Sequence, residues 1–311
     1  MCAHEFHLSK TRAAALGQRR LVTVMIKAFA YHHATAAAAA RMARSHARRS
    51  NMPVPLFFKK VTPPNKRQRA AREKSRDEVT GRFAEDATNA RVLFDRRPLD
   101  KDERAILRRL NRGSGDETMG NMRKEDLRTL NPDQWLVDVV MDAYAALVVK
   151  RAPQPSTFVF PVHFYPILSF RGFKTVQECT DGVDVFALHT VFIPILDKGN
   201  HWTLIVADMV NRALTYYDSS GGMGKQHLRR IAAYLADEFK AKHREREPWQ
   251  WELKSPGFST PQQTTGHDCG VFVLAQLSAL HERDVDRAFS QADVPRFRQQ
   301  IQLELVRNAT T

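Results

Sequence analysis

Residues 261–270 read Pro261-Gln262-Gln263-Thr264-Thr265-Gly266-His267-Asp268-Cys269-Gly270. Apolar residues recur at helical spacing directly after this segment, at Val273, Leu274, Leu277 and Leu280. The pattern predicts a buried helix with Cys269 in its first turn and Asp268 beside it as a capping candidate. Unpaired backbone N–H groups at a helix start favour the thiolate, which is the reactive form of cysteine. The segment therefore predicts a thiol nucleophile.

Two strands upstream supply a base and a carboxylate. Residues 201–208 have the apolar and β-branched content of a strand that begins at His201, and residues 213–217 form a second strand followed by Asp218. A short turn joins the two strands, and a hairpin aligns the start of one strand with the end of the next. We therefore expect the imidazole of His201 to lie beside the carboxylate of Asp218.

These residues together form a candidate catalytic set. His201 is predicted to act as general base toward Cys269 and later as general acid, while Asp218 fixes the tautomer of the imidazole. The side-chain N–H of Gln263, with the backbone N–H of Cys269, is predicted to stabilise the oxyanion. Each residue alone also has an ordinary structural explanation, as a buried cysteine, a strand histidine or a turn former.

The order His, Asp, Gln, Cys and the sequences around these residues resemble the Ulp/SENP family of SUMO-specific cysteine proteases. The resemblance covers about Met119 to Asn308. Its motifs are Trp135-Leu136-Val137-Asp138, Val191-Phe192-Ile193-Pro194-Ile195, His201-Trp202, Tyr216-Tyr217-Asp218-Ser219, Pro261-Gln262-Gln263, Asp268-Cys269-Gly270 and Phe289-Ser290-Gln291-Ala292-Asp293-Val294-Pro295-Arg296-Phe297-Arg298.

The resemblance implies a role for each matching residue. Cys269, His201 and Asp218 become the triad, and Gln263 becomes the oxyanion residue. Trp202 and Trp135 become walls of a narrow tunnel for the Gly-Gly tail of a ubiquitin-like modifier.

Two indole faces pressed on such a tail exclude residues larger than glycine. Asp138 keeps an acidic position of the modifier-facing surface. Alternative interpretations remain open: both tryptophans as core residues, and Asp138 as a solvated carboxylate.

The function that the resemblance implies is cleavage after the C-terminal Gly-Gly of a modifier, with SUMO and its conjugates as partners and both deconjugation and precursor maturation as reactions. The resemblance thus implies a thiol protease, a hydrolase whose proteolysis brings about desumoylation in the Ubl conjugation pathway. A deneddylase or deubiquitinase with the same triad is one alternative. An effector-type acetyltransferase on the same scaffold is another, and a noncatalytic binding protein is a third.

The predicted fold class is α+β, with a central mixed sheet flanked by helices. Strands are predicted near residues 158–160, 190–196, 201–208, 213–217 and 249–253. Helices are predicted over residues 134–147, along a face with Leu228, Ile231, Ala232, Leu235 and Phe239, after Cys269, and along a face with Val294, Phe297, Ile301 and Leu305. The resemblance implies a papain-like cysteine protease fold with its elements permuted.

Charge divides the chain unevenly. Residues 1–116 hold 26 Lys or Arg against 11 Asp or Glu, whereas residues 117–311 hold 22 against 23, so the net charge of +14 belongs to the N-terminal third. No acidic residue lies between Glu5 and Glu73. We therefore predict a mostly disordered basic arm over residues 1–90, a linker over 91–118 and a catalytic domain over 119–308.

The basic arm suggests where the protein acts. Lys66-Arg67-Gln68-Arg69 after two prolines is typical of a nuclear import signal or a weak nucleic-acid patch. We expect a nuclear protein, with a cytoplasmic location and a mitochondrial transit peptide as alternatives. No apolar run approaches eighteen residues, so no membrane span is expected. The three cysteines, Cys2, Cys179 and Cys269, match no disulfide framework or metal site, and neither a metal nor a cofactor is predicted.

Overall fold

A computed structural model describes residues 97–119, 121–151, 157–243, 247–281 and 289–308. The predicted arm over residues 1–90, including its import signal, lies outside the described residues, as does the linker as far as residue 96. Residues 178–183 belong to a compact unit whose other members are not described, and they form a turn of their own. All other described residues belong to a second compact unit.

The described part of the second unit includes two early helices that the sequence did not predict. Asp100 caps α1 (Lys101–Leu110), because its side chain accepts the N–H of Glu103 and the Glu103 carboxylate accepts the N–H of Asp100. A two-stranded ribbon follows, made of β1 (Thr118–Met119) and β2 (Met122–Arg123). The short helix α2 (Lys124–Arg128) comes next. The described part of residues 91–118, predicted as a linker and entry to the catalytic domain, therefore includes the capped helix α1.

A mixed five-stranded sheet forms the centre of this unit. Its strands are β3 (Thr157–Val159), β4 (Thr190–Asp197), β5 (His201–Asp208), β6 (Ala213–Tyr217) and β7 (Glu252–Lys254), and they lie in that order. β4, β5 and β6 are antiparallel neighbours, while each edge strand runs parallel to its neighbour. The predicted strands are confirmed, and the last one begins three residues later than expected.

The remaining helices are α3 (Asp138–Arg151), α4 (Phe164–Arg171), α5 (Phe173–Val176), α6 (Lys225–Lys242), α7 (Cys269–His281) and α8 (Val294–Asn308). Short 3₁₀ turns lie at Val185–Ala187, Gly257–Ser259 and Gln291–Asp293. The prediction that the tryptophan helix begins at residue 134 was wrong, because α3 begins at Asp138 and leaves Trp135 in the preceding loop. No described helix has the length and apolar content needed to cross a membrane.

The central helix α7 is buried on nearly all of its surface, as its almost uninterrupted apolar sequence dictates. It packs against β5 and against α3, and α8 closes the same core from the other side. The core places Cys269 at the end of α7 that faces the start of β5. Burying the helix on all sides fixes the position of its first residue, which is what a nucleophile requires.

Candidate active site

Cys269 is the first residue of α7 and is 2% exposed. The helix leaves its first backbone N–H groups without helical acceptors, and their partial positive charge favours an anion at this end. The N–H of Phe272 already donates to the carbonyl of Asp268, so the helical hydrogen-bond pattern includes the residue before the cysteine. The thiol is therefore held at a favourable electrostatic position by the backbone alone.

His201 opens β5 and lies between the cysteine and a carboxylate. Its Nε2 is 2.7 Å from Oδ1 of Asp218, and the side chain of Cys269 is the other group that raises the pKa of its ring. The antiparallel register pairs Leu204 with Tyr217, which places Asp218 opposite the first residues of β5. The hairpin geometry predicted from the sequence thus brings the three predicted residues together.

The carboxylate of Asp218 is fixed by more than the histidine. It is 7% exposed, and it accepts backbone N–H groups from Ser220 at 2.7 Å and Gly222 at 3.2 Å. These bonds come from the turn that directly follows β6. The turn therefore aims the carboxylate at His201 rather than leaving it free to rotate.

The electrostatics favour a charged imidazole. Burial alone lowers the pKa of His201, but the hydrogen bonds and negative charges of Asp218 and Cys269 outweigh it and raise the pKa to about 10. Near neutral pH the ring therefore holds its proton beside the sulfur. A protonated imidazole beside a cysteine is an arrangement that activates the sulfur as a nucleophile.

Gln263 is held by its side chain and its backbone. The Ser219 hydroxyl donates to Oε1 of Gln263 at 2.6 Å, and Nε2 of Gln263 donates to the Thr265 carbonyl at 2.7 Å. The Gln263 backbone N–H donates to the Ser219 carbonyl at 2.9 Å. The predicted oxyanion donor is therefore anchored to the residue that follows Asp218.

The two predicted tunnel tryptophans differ in exposure. Trp202 is 4% exposed and its indole N–H donates to the Leu136 carbonyl at 3.0 Å. Trp135 is 54% exposed and donates to the Gly266 carbonyl at 3.0 Å. Trp202 is thus a core residue as well as a site neighbour, whereas Trp135 presents an indole face to solvent. A core position for Trp135, which the sequence left open, is not what the structure shows.

Asp138 lies at the start of α3, three residues after Trp135. Its Oδ2 is 3.2 Å from Nε2 of His163, and this hydrogen bond is the main reason that the pKa of Asp138 is lowered. Nearby, burial raises the pKa of Asp142 to about 6. Asp138 is therefore a paired carboxylate, and the sequence analysis did not identify His163 as its partner.

Asp268 does not cap α7 through its side chain, so that prediction was wrong. Its carboxylate accepts from Arg298, Gln291 and Thr265 instead. Burial alone raises the pKa of Asp268, but these hydrogen bonds and the Arg298 charge hold it below its ordinary value. The spacing of Arg298 in the sequence could have indicated that it is buried. It lies next to Phe297 and one turn from Ile301 and Gln302, which are all buried.

Across the described ranges, no group of three or more His, Cys, Asp or Glu side chains has an arrangement that could hold a metal ion. The site instead combines a thiol, an imidazole, a carboxylate and an amide, which is sufficient for acyl chemistry without a cofactor.

The comparisons with known proteins agree with this geometry. The model of the Ulp1 protease family, C-terminal catalytic domain, matches residues 134–309, which is more than half of the chain. The chain belongs to the Ulp1 protease family. As a member of this protease family, the chain has the family's α+β fold, as its sequence predicted.

Individual relatives support the assignment. The chain is 32% identical over 215 residues to Sentrin-specific protease 2 of Homo sapiens, covering 66% of this chain and 36% of that protein. It is 35% identical over 183 residues to Sentrin-specific protease 5 of Homo sapiens, covering 58% of this chain and 23% of that protein. The chain thus spans about a third or less of the length of these relatives.

Solved structures show the same fold. The SUMO protease Ulp1 with its catalytic cysteine oxidized to a sulfonic acid has a TM-score of 0.60 and 25% identity, covering 70% of this chain and all of that one. The Ulp1 protease domain in complex with Smt3, the yeast ortholog of SUMO, has a TM-score of 0.59 and 25% identity, covering 69% and 97%.

Proposed function

We propose that this Ulp1-family peptidase cleaves the bond after the C-terminal Gly-Gly of SUMO, releasing the modifier from substrate lysines and maturing its precursor. The observation that carries the proposal is the position of His201, whose imidazole lies 2.7 Å from the carboxylate of Asp218 and has its pKa raised by the side chains of Asp218 and Cys269. The choice of modifier is supported by the Sentrin-specific and Smt3-bound relatives.

The proposed reaction begins with the sulfur anion of Cys269 attacking the carbonyl carbon of the terminal glycine. The carbonyl oxygen becomes an oxyanion, which the side-chain N–H of Gln263 stabilises. His201 then gives its proton to the departing lysine amine, and the C–N bond breaks to leave a thioester. Water then attacks the thioester with His201 as base, and the C–S bond breaks to restore the sulfur of Cys269 while the modifier leaves with a free carboxylate.

The proposed substrate path uses the two tryptophans. Trp135 is exposed beside Gly266, and Trp202 packs beside Gly270. A Cβ at position 270 would meet Leu136 and Trp202 at 3.1 Å each, so the first turn of the helix fits closely against both. We assign Trp135 and Trp202 to the walls of the Gly-Gly tunnel, and Asp138 to the surface that meets the body of the modifier.

The test compares three proteins on three substrates. Wild type, Cys269→Ser and Cys179→Ser would each be incubated with matched SUMO, ubiquitin and NEDD8 conjugates of the same fluorescent peptide. Cys179 is buried and lies outside the proposed site, so it serves as the matched cysteine control. Cleavage of SUMO conjugates that Cys269→Ser abolishes and Cys179→Ser retains is the expected result.

The same experiment separates the alternatives. Cleavage of only ubiquitin or NEDD8 conjugates would replace SUMO by that modifier while keeping the triad. Transfer of an acetyl group to a protein substrate without any peptidase activity would indicate an acetyltransferase on this scaffold instead.

The basic arm supports a further element of the proposal. We propose a nuclear location, because the Lys66-Arg67-Gln68-Arg69 cluster has the composition of an import signal. Fusing residues 1–90 to a fluorescent protein tests it. Nuclear accumulation that is lost when the four cluster residues become alanine supports the location, and accumulation in mitochondria would contradict it.

A further inference from the structure

Two adjacent residues, Asp218 and Ser219, contact two different members of the proposed catalytic set. Asp218 carries the carboxylate that faces His201, and Ser219 carries the hydroxyl that faces Gln263. Ser219 is 7% exposed and contacts Gln263 through both its hydroxyl and its backbone carbonyl. The two residues that directly follow β6 therefore orient both the proposed base, His201, and the proposed oxyanion donor, Gln263.

The hydrogen bonds of the Gln263 amide select one of its two orientations. Its oxygen accepts from the Ser219 hydroxyl and its nitrogen donates to the Thr265 carbonyl. A rotation of 180° about the last side-chain bond would set the amide oxygen against the carbonyl oxygen of Thr265, and two acceptors repel each other. The Thr265 carbonyl therefore selects the orientation, and the Ser219 hydroxyl, which can donate or accept, holds the other end of the amide in place.

The selected orientation matters for the chemistry. The amide nitrogen carries two hydrogens, and one of them is engaged by Thr265. Among the described residues the second hydrogen has no protein acceptor, so it is free to meet the oxyanion. The opposite orientation would bring an oxygen, rather than a hydrogen, toward the developing negative charge and would oppose the reaction.

We propose that Ser219 is a positioning residue that holds Gln263 as the oxyanion donor. This inference rests on the proposed function, because it assumes that Gln263 stabilises an oxyanion. Ser219 does not touch the reacting atoms, so its effect passes through Gln263. Loss of its hydroxyl lowers kcat and leaves KM unchanged, because the tail still binds but its transition state is less stabilised.

The first test is a double-mutant cycle on the best modifier substrate. Ser219→Ala is expected to lower kcat roughly 3- to 10-fold, the loss of about one neutral hydrogen bond. Gln263→Ala is expected to cost about 10²- to 10³-fold, as for other single oxyanion donors. In the Gln263→Ala background, Ser219→Ala should cost nothing more. Equal losses in both backgrounds would overturn the proposal.

Two readouts separate positioning from general disturbance. Ser219→Thr keeps a hydroxyl and should restore most of the activity that Ser219→Ala loses. The pH profile of Ser219→Ala should match that of wild type, because the ionisation of His201 and Cys269 does not depend on the hydroxyl of Ser219. A shifted profile would mean that the substitution disturbs Asp218, and it would contradict the proposed path through Gln263.

A substrate-free measurement keeps this inference separate from the proposed function. The side-chain amide signals of Gln263 in ¹H–¹⁵N NMR should shift and exchange faster with solvent in Ser219→Ala. If wild type cleaves no modifier conjugate, the proposed function fails, and the amide signals still decide the role of Ser219. Unchanged signals would overturn that role.

Discussion

Nη2 of Arg298 donates to Oδ1 of Asp268 across 2.6 Å, and both side chains are almost fully buried. The same guanidinium donates to the carbonyls of Thr129, Asn131 and Gln134. Helix α8 thereby ties the loop before Trp135 to the residue before Cys269. Two segments more than 130 residues apart are joined by one side chain.

Replacing Arg298 should therefore destabilise the fold strongly. Arg298→Met removes the buried cation of this ion pair and leaves Asp268 only its hydrogen bonds to Gln291 and Thr265. Loss of one partner of a buried ion pair costs about 3–5 kcal/mol. Urea unfolding followed by circular dichroism measures the effect. Arg307→Met is the matched control on the same helix, because Arg307 is half exposed and should contribute little. Similar losses from the two substitutions would contradict the role given to the buried pair.

Gly222 should resist substitution for a steric reason. A Cβ at this position would lie 2.1 Å from Oδ2 of Asp218, so Gly222→Ala must displace the carboxylate that orients His201. A misplacement of about 1 Å can cost about 10²-fold in rate, and we expect kcat to fall at least tenfold. Steady-state kinetics on the modifier substrate measure it.

Gly172→Ala is the control for that substitution. Gly172 has φ 79° and ψ −179°, a backbone conformation that costs a residue with a Cβ about 1–3 kcal/mol, but a Cβ there meets no atom within 4 Å. It should lower the stability while leaving kcat unchanged. Unaltered kcat in Gly222→Ala would show that the carboxylate has room to move without consequence.

The proton on His201 should persist well above neutral pH. Its pKa is raised from 6.5 to about 10, so the charged ring stabilises the folded state fully below pH 6.5. That contribution is lost as the pH rises through about 10. ¹H–¹⁵N NMR of the imidazole should show this late titration, and Asp218→Asn should move it toward 6.5. A midpoint near 6.5 in both proteins would contradict the coupling.

Substitution of Trp135 should mainly lower activity, whereas substitution of Trp202 should mainly lower stability. Trp135→Ala removes an exposed indole, so cleavage should weaken strongly while the unfolding midpoint changes little. Trp202→Ala opens a buried cavity and should cost about 3–5 kcal/mol of stability. Phe170→Ala removes another exposed ring, one on α4, and is the control for Trp135. Full activity in Trp135→Ala would exclude it from the substrate path.

The sequence predicts the strands and the cysteine helix because their patterns are local. Continuous apolar runs and the hairpin turn define β4, β5 and β6, and the turn alone implies that His201 approaches Asp218. The beginning of α3 was misplaced because an apolar face that includes Trp135 continues the helical period without being helical.

Side-chain partners that are distant in sequence could not be predicted. The bonds of Ser219 to Gln263 and of Arg298 to Asp268 span 44 and 30 residues and depend on how whole elements pack. No periodic pattern encodes them. A buried arginine at a core spacing in α8 was the single local hint, and it indicates burial without naming the partner.

Covalent labelling by modifiers whose terminal glycine carries an electrophile tests whether Cys269 is the nucleophile and whether SUMO is the substrate. SUMO, ubiquitin and NEDD8 probes would be added to the full chain, and the modified residue would be mapped by mass spectrometry. We expect one SUMO adduct, on Cys269, and we expect His201→Ala to slow its formation greatly. An adduct on Cys179, or no SUMO adduct on the folded protein, would contradict it.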